Sequence, residues 1–214
     1  NGDTWTVPED NYLQFDTDLL YANNIRLQRN DMAIALNSTG PVAPNAPLNV
    51  GFENLDIGYL VQSFQKQDSL VNGIINGEAT VQNLMAGELS FTSDLTVSDL
   101  FYQGVPVGDI ALQANSAGAN RYDINAALTG NNNQLKINGF VETQPDATLL
   151  NLDANIPSLN IASFQGFTEG MVDDLGGRAR GDLRITGTLD NPNILGQLNF
   201  DQAQFNLTTL GSLF

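Results

Sequence analysis

Apolar and polar residues alternate along most of this chain, and that period of two limits its fold more than any other feature. Successive side chains of a β-strand point to opposite faces, so the alternation predicts strands with one buried face. In the run 176–207, one side carries Ala179, Leu183, Ile185, Leu189, Ile194, Leu198 and Phe200. The other side carries Arg178, Arg180, Asp182, Arg184, Gln197, Asn199 and Asp201. A turn at 190–192 divides the run, which therefore predicts two neighbouring strands with a shared apolar face.

The same alternation predicts strands along the rest of the chain. Short strands are expected between residues 12 and 37, with tight turns at 23–24 and 30–31, and a proline-rich surface connection follows at 40–47. From residue 77 to 156 the pattern predicts an up-and-down antiparallel meander with turns at 104, 116–120, 130–133 and 144–146. Helical spacing interrupts the pattern twice, which predicts short helices at 58–72 and 161–175, each ending before a glycine.

A repeat with an offset of 104 residues organises the chain. The matched pairs are Leu48 and Leu152, Leu55 and Leu159, Ile57 and Ile161, Gly73 and Gly177, Gly77 and Gly181, and Val81 and Ile185. Repeated units of this kind stack into elongated arrays. We therefore divide the chain into N-terminal strands at 1–47, a first repeat at 48–151 and a second, truncated repeat at 152–214. Because the sequence starts without Met and stops inside a patterned run, we expect one continuous segment of a longer protein.

Composition excludes several classes of function. The 214 residues include no cysteine and no histidine, which excludes Cys–His and Ser–His catalysis and most zinc sites. The formal net charge of −16 disfavours nucleic acid as a partner. The acidic groups at 16–18 and 173–174 lack the spacing of a calcium-binding loop and are expected to be solvated turns. We therefore expect no catalytic residue, no metal, no cofactor and no enzymatic activity.

The expected strands determine the proportions of the sheet. About a dozen strands ~4.8 Å apart make a sheet ~55 Å long, and seven-residue strands make it only ~23 Å wide. Such a sheet covers its apolar face by closing into a barrel, pairing with a second sheet or curling lengthwise into a trough. Small residues lie among the inward Leu, Ile, Val and Phe, whereas a tightly packed pair of sheets usually contains more aromatic side chains. This composition favours the trough. The predicted fold is all-β: an elongated antiparallel sheet curled into a taco-like groove with an apolar interior, plus two short helices.

A pattern of glycine, proline and alternating apolar residues marks the C-terminal part of the chain. The pattern GxxxGxLxIxGTLxNPxIxGxLxFxxAxF is filled by Gly177, Gly181, Leu183, Ile185, Gly187, Thr188, Leu189, Asn191, Pro192, Ile194, Gly196, Leu198, Phe200, Ala203 and Phe205. It resembles the conserved-domain signature of the TamB family, within the AsmA-like superfamily. Trp5 and the runs 11–15 and 24–27 are also similar to that family.

The resemblance implies a location and partners. It implies a β-groove in the periplasm of a double-membraned bacterium, in a protein anchored in the inner membrane by a segment outside this one. It also implies roles in outer-membrane biogenesis and phospholipid transport between the membranes. A further implied role is the assembly and secretion of outer-membrane and autotransporter proteins together with a barrel partner, TamA.

The expected groove has a defined lining. The residues expected to line it are Val81, Leu89, Phe91, Ile110, Leu112, Ile124, Leu135, Ile137, Leu150, Leu152, Leu183, Ile185, Leu198 and Phe200. If the trough is open, phospholipid acyl chains lie along these side chains while the headgroups stay in water. The same alternation equally predicts a closed, dry core without a ligand.

Two further interpretations concern the edges and the polar side of the sheet. An open trough has exposed edges, where unfolded outer-membrane protein strands could add to the sheet. This chaperone-like binding is the alternative function. Arg178, Arg180 and Arg184 lie on the polar side, where they are expected to pair with acidic residues or to contact a lipid headgroup.

Overall fold

A computed structural model of the chain describes residues 4–65, 70–84, 90–118, 120–168, 171–207 and 212–213. The strands are β1 (Tyr12–Phe15), β2 (Leu20–Asn23), β3 (Ile25–Arg29), β4 (Met32–Ser38), β5 (Leu48–Asp56), β6 (Val71–Gln82), β7 (Ser90–Tyr102), β8 (Val105–Gly118), β9 (Arg121–Gly130), β10 (Asn133–Gln144), β11 (Ala147–Asn160), β12 (Val172–Thr188), β13 (Pro192–Leu207) and β14 (Ser212–Leu213). The helix α1 (Ile57–Gln65) joins β5 to β6, and a 3₁₀ helix (Ile161–Thr168) joins β11 to β12.

Strands β3 to β14 form one antiparallel sheet in which strands adjacent in the chain are also adjacent in space. The strand order is linear, so the sheet is not closed into a barrel. Strands β1 and β2 form a separate hairpin, which is tied to β4 where the backbone N–H of Ala22 donates to Ser38 Oγ at 3.0 Å. The up-and-down meander predicted from the alternation is thereby confirmed.

The predicted lengths of the strands are wrong. Strands β6 to β13 contain 10 to 17 residues, which at ~3.3 Å per residue gives about 33 to 56 Å along the strand rather than ~23 Å. They are longer because glycines within them, such as Gly77 and Gly139, continue the ladder instead of ending it.

The predicted C-terminal limits of both helices are also wrong. Helix α1 ends at Gln65 and the 3₁₀ helix at Thr168, and β6 and β12 already begin at Val71 and Val172. Leu70 and Val71, like Val172 and Leu175, fit a helical spacing, but the β-branched valines at which β6 and β12 begin favour the strand. Residues 66–69 and 169–170 of the two predicted helices lie outside the described residues.

The two faces of the sheet differ in chemistry. Cross-strand partners lie on the same face, and pairs such as Leu95 with Leu112 make one face apolar. The opposite face carries pairs such as Asp153 with Arg184. We name them the apolar face and the polar face. Most side chains of the apolar face are half-buried although no second sheet packs over β5 to β13 in the described part of the chain, as expected when a sheet curls around its own apolar side. The predicted fold, an elongated antiparallel sheet with one apolar face and two short helices, is confirmed, and the sheet is not closed into a barrel.

Both helices lie at one long border of the sheet, which we name the helix rim; the opposite border is the open rim. The 3₁₀ helix packs against β8 and β12. Several buried apolar side chains lie on the strands near this rim: Leu55, Val107, Leu128, Ile156 and Ala179. Because α1 and the 3₁₀ helix connect strands that pair directly with each other, the sheet continues without interruption past both of them.

Asparagine side chains fix the 3₁₀ helix to the helix rim. Asn133 Nδ2 donates to the carbonyl oxygen of Val107 at 2.7 Å and to Ser163 Oγ at 2.9 Å, while its Oδ1 accepts from the N–H of Asn160 at 2.7 Å. Asn131 Nδ2 donates to the same Ser163 oxygen at 2.8 Å. Asn133 and Ser163 are each 1% exposed, so these hydrogen bonds satisfy groups that are costly to bury unpaired.

The pairing registers of the two repeats agree with the sequence offset. Pairs 48–81, 52–77 and 55–75 of the first unit correspond to pairs 152–185, 156–181 and 159–179 of the second. The register shift also falls at equivalent positions, between Phe52 and Leu55 and between Ile156 and Leu159. We propose on this basis that the units starting at 48 and 152 are copies of one strand–helix–strand motif.

Candidate functional site: an open apolar groove

Cross-strand pairing aligns the apolar face into rows that run at right angles to the strands. One row of ten residues, which we name the central lane, consists of Ile34, Phe52, Gly77, Leu95, Leu112, Ala126, Ile137, Ala154, Leu183 and Gly196. At ~4.8 Å between strands, its ten members extend for about 43 Å along the sheet. All ten are apolar or glycine, so hydrocarbon lying along this row would meet no polar side chain.

A second lane lies beside the central lane, nearer the open rim. It consists of Leu36, Val50, Ala79, Ser93, Ala114, Ile124, Gly139, Leu152, Ile185 and Ile194. Ser93 is its one polar member, and its hydroxyl donates to the carbonyl oxygen of Ala114 at 3.3 Å. The polar group is thus satisfied within the sheet, and the two lanes together form a wide apolar floor.

Thirteen of the fourteen residues predicted to line the groove lie on the apolar face. Those in the two lanes are Leu112, Ile124, Ile137, Leu152, Leu183 and Ile185. Those nearer the open rim are Val81, Phe91 and Leu150, and those nearer the helix rim are Ile110, Leu135, Leu198 and Phe200. Leu89 lies outside the described residues. The structure brings these side chains onto one surface, and their contact with a ligand stays a prediction.

The rows that flank the lanes are partly closed. Towards the open rim, the rings of Phe91 and Tyr122 stack with centroids 5.4 Å apart, although Ser116 lies between them in the sheet. Towards the helix rim, the ring of Phe167 from the 3₁₀ helix stacks on Tyr102 at 4.2 Å. The central and second lanes lie between these two ring contacts.

Charged side chains concentrate on the polar face, where several form ion pairs. The guanidinium of Arg26 donates to both carboxylate oxygens of Glu53 at 2.6 Å, and these hydrogen bonds lower the pKa of the Glu53 carboxyl and raise the pKa of Arg26. Arg184 pairs with Asp153 at 3.2 Å. Because the partners lie on the polar face, no charge interrupts either lane.

The acidic groups noted in the sequence have ordinary structural surroundings. Asp16 Oδ1 accepts from the backbone N–H of Thr17 at 2.7 Å, as in a polar turn. Within the described ranges, no three Asp or Glu side chains come together where they could hold a metal ion. Over the same ranges, none of the helices has the length and the apolar content needed to cross a lipid bilayer.

Sequence reasoning missed the N-terminal extent of the groove. Ile34 and Phe52 continue the central lane onto β4 and β5, and Leu95 fills it on β7. The same alternation that identified the other lining residues could have found these three. The closure of the outer row by Phe91 and Tyr122 gives no such signal, because it depends on the two rings leaning over a small residue.

Comparison with known proteins supports an assignment for the C-terminal part of the sheet. Residues 123–212, from β9 to β14, match the family model described as the TamB C-terminal domain. The comparisons with curated proteins and with solved structures returned no significant match. The matched segment contains the glycine and proline pattern at 177–205 and half of the central lane. On this match, residues 123–212 of the chain form a domain of the TamB C-terminal type.

Proposed function

We propose that the apolar face binds the acyl chains of phospholipids and supports their movement between the inner and outer membranes. The observation that carries this proposal is the central lane, to which ten adjacent strands contribute apolar residues or glycine without a charged or polar member. A closed core would be covered by a second layer. Instead, most of these side chains are half-buried, and no second sheet packs over them in the described part of the chain.

The energetics favour such a lane over free diffusion of lipid through water. Each CH₂ group exposed to water costs ~0.8 kcal/mol, so a sixteen-carbon chain faces a barrier of about 12 kcal/mol. An apolar surface that continues from strand to strand removes most of that barrier. Every position of the central lane is apolar or glycine, so no polar group along the lane holds the chain at one place. This transfer needs no covalent step and no cofactor.

The match of residues 123–212 to the TamB C-terminal domain supports the cellular context of the proposal. The TamB assignment connects the chain with the module for outer-membrane assembly and translocation. We therefore place the groove in the periplasm of a double-membraned bacterium, as part of a longer protein anchored in the inner membrane. An outer-membrane barrel protein of the TamA type is the proposed partner at the far end.

Photo-crosslinking at neighbouring residues tests the lipid proposal. Ile137 lies in the central lane, whereas Asn138, the next residue of β10, lies on the polar face. With a photo-reactive side chain at each position in turn, and vesicles of phosphatidylethanolamine and phosphatidylglycerol, mass spectrometry should find lipid adducts at 137 and not at 138. Equal yields at the two positions, or no adduct at 137, would contradict the proposal.

Strand β13, near one edge of the sheet, supports a second proposed function. This function is the binding of unfolded outer-membrane or autotransporter protein strands. Among the described residues, β13 pairs with β12 along its length and with β14 only at Asn206 and Leu207. Its exposed side chains include Leu195 at 59% and Phe200 at 62%. Unpaired backbone groups beside exposed apolar side chains are the features with which a sheet edge accepts an added strand.

Crosslinkers on the polar face separate this second function from the first. Leu195 lies on the edge strand β13, and Lys136 lies on the same face of the interior strand β10. If β13 accepts client strands, a crosslinker at 195 should capture an unfolded outer-membrane protein added to the purified chain, whereas a crosslinker at 136 should not. Capture at both positions would indicate nonspecific adhesion and contradict strand addition, as would capture at neither.

A further inference from the structure

Two arginines of the polar face differ from the other arginines in their contacts. In the described part of the chain, Arg26 and Arg184 pair with Glu53 and Asp153, Arg121 pairs with Asp123 at 3.5 Å, and Arg29 lies over the ring of Tyr59. Arg178 and Arg180 form no ion pair with any described residue. They are adjacent on one face of β12, in a chain with 24 acidic residues that could have neutralised them.

Three adjoining clefts on this surface share Arg178 as a wall. Their volumes are about 270, 310 and 510 Å³, and the first is lined by both Arg178 and Arg180. Neutral side chains complete the walls: Ser158, Asn160, Asn199 and the turn residue Asn132. The guanidinium groups therefore border an open space that hydrogen-bonding groups surround.

One carboxylate limits the positive charge of this surface. Asp201 lies opposite Arg178 on β13 and lines the same cleft, yet the two side chains form no ion pair within the described part of the chain. Two guanidinium groups against one carboxylate leave the cleft with a net positive charge. Asp182, two residues from Arg180 on the same face, accepts from Asn155 Nδ2 at 2.7 Å and does not line the cleft. At physiological ionic strength, charges more than about 8 Å away are largely screened, so acidic residues elsewhere in the chain do not cancel this local excess.

We propose that the cleft between Arg178 and Arg180 is a binding site for a phosphate group. The planar guanidinium presents paired N–H donors that match two oxygens of a phosphate, and amide side chains supply neutral donors beside it. The phosphate could belong to a soluble phosphate ester or to a phospholipid headgroup. The site lies on the polar face, opposite the lanes, so it does not depend on the proposed lipid groove.

Calorimetric titration with inorganic phosphate tests the site directly. Phosphate should bind the purified chain, and Arg178→Gln with Arg180→Gln should weaken that binding by at least roughly tenfold. The matched control is Arg184→Gln, which removes a positive charge from the same face of the same strand but from an existing ion pair; it should leave phosphate binding unchanged. Asp201→Asn should tighten binding by roughly fivefold, because it removes the opposing charge.

Binding to phosphate and to vesicles distinguishes the two sources of the phosphate group and can also contradict the proposed site. Co-sedimentation with phosphatidylglycerol vesicles that the double variant loses indicates a headgroup; binding of inorganic phosphate without arginine-dependent binding to vesicles indicates a soluble ester. If the chain binds neither probe, or if Arg184→Gln weakens binding as much as the double variant does, the proposal is wrong. Lipid crosslinking at Ile137 should be unchanged in the double variant. A failure of the phosphate proposal is therefore distinguishable from a failure of the groove proposal.

Discussion

Gly77→Ala should destabilise the chain by about 3 kcal/mol or more, although it adds only one methyl group. Gly77 lies in the central lane within β6, with φ +127°, a backbone conformation that side-chain-bearing residues rarely adopt. A Cβ atom there would collide with the carbonyl oxygen of Asp94 and lie 2.9 Å from the Cα of Leu95. Both obstacles belong to the backbone of β7, so relief requires the two strands to separate. Urea denaturation followed by circular dichroism measures the loss.

Gly51→Ala is the matched control for this prediction. Gly51 lies on β5, which pairs with β6, and its backbone does not have a positive φ. The nearest atom to a Cβ at this position is Cβ of Ala35 at 3.7 Å, an ordinary contact. The substitution should therefore be neutral or slightly stabilising, since alanine restricts the unfolded chain more than glycine does. Equal denaturation midpoints for the two variants would show that this position of β6 does not require glycine.

The alternation of residue types was sufficient to predict which face each strand presents. Leu112 and Leu135 are separated by β9 in the sheet, yet the period of two placed both on the apolar face, because pairing registers keep apolar residues opposite one another. Strand lengths could not be predicted in the same way. A glycine such as Gly77 or Gly139 favours either a turn or a bend inside a strand, and only the neighbouring backbone decides between them.

Ion pairing on the polar face could not be predicted either. Arg184 lies opposite Asp153 and Arg178 lies opposite Asp201, so the two arginines are equivalent in the sequence pattern. Only Arg184 forms an ion pair with a described residue. The difference depends on side-chain conformation and on the space between the strands, neither of which a periodic pattern encodes. The sequence pattern also cannot predict whether the groove is open, because the alternation is identical whether or not another layer covers the apolar face.

Leu112→Asp and Leu55→Asp should separate an open groove from a closed core by their opposite effects. Leu112 is a half-buried member of the central lane, whereas Leu55 is 2% exposed near the helix rim. A carboxylate at 112 can reach water across the open face, so the chain should stay folded. A carboxylate at 55 has no such route, and burying it unpaired should unfold the chain. Thermal denaturation followed by circular dichroism distinguishes the two results.

Leu112→Asp should strongly reduce lipid binding in the central lane although the fold stays intact. A charge in the lane keeps water around it, which removes contact from roughly three methylenes; at ~0.8 kcal/mol each the loss is about 2.4 kcal/mol, or about 50-fold in lipid occupancy. Lipid crosslinking at Ile137 in the Leu112→Asp variant measures this loss. Gln113→Asp adds the same carboxylate one residue along β8, on the polar face, and should leave crosslinking unchanged. If Leu112→Asp unfolds the chain as Leu55→Asp does, the apolar face is a closed core and the lanes are not a path for lipid.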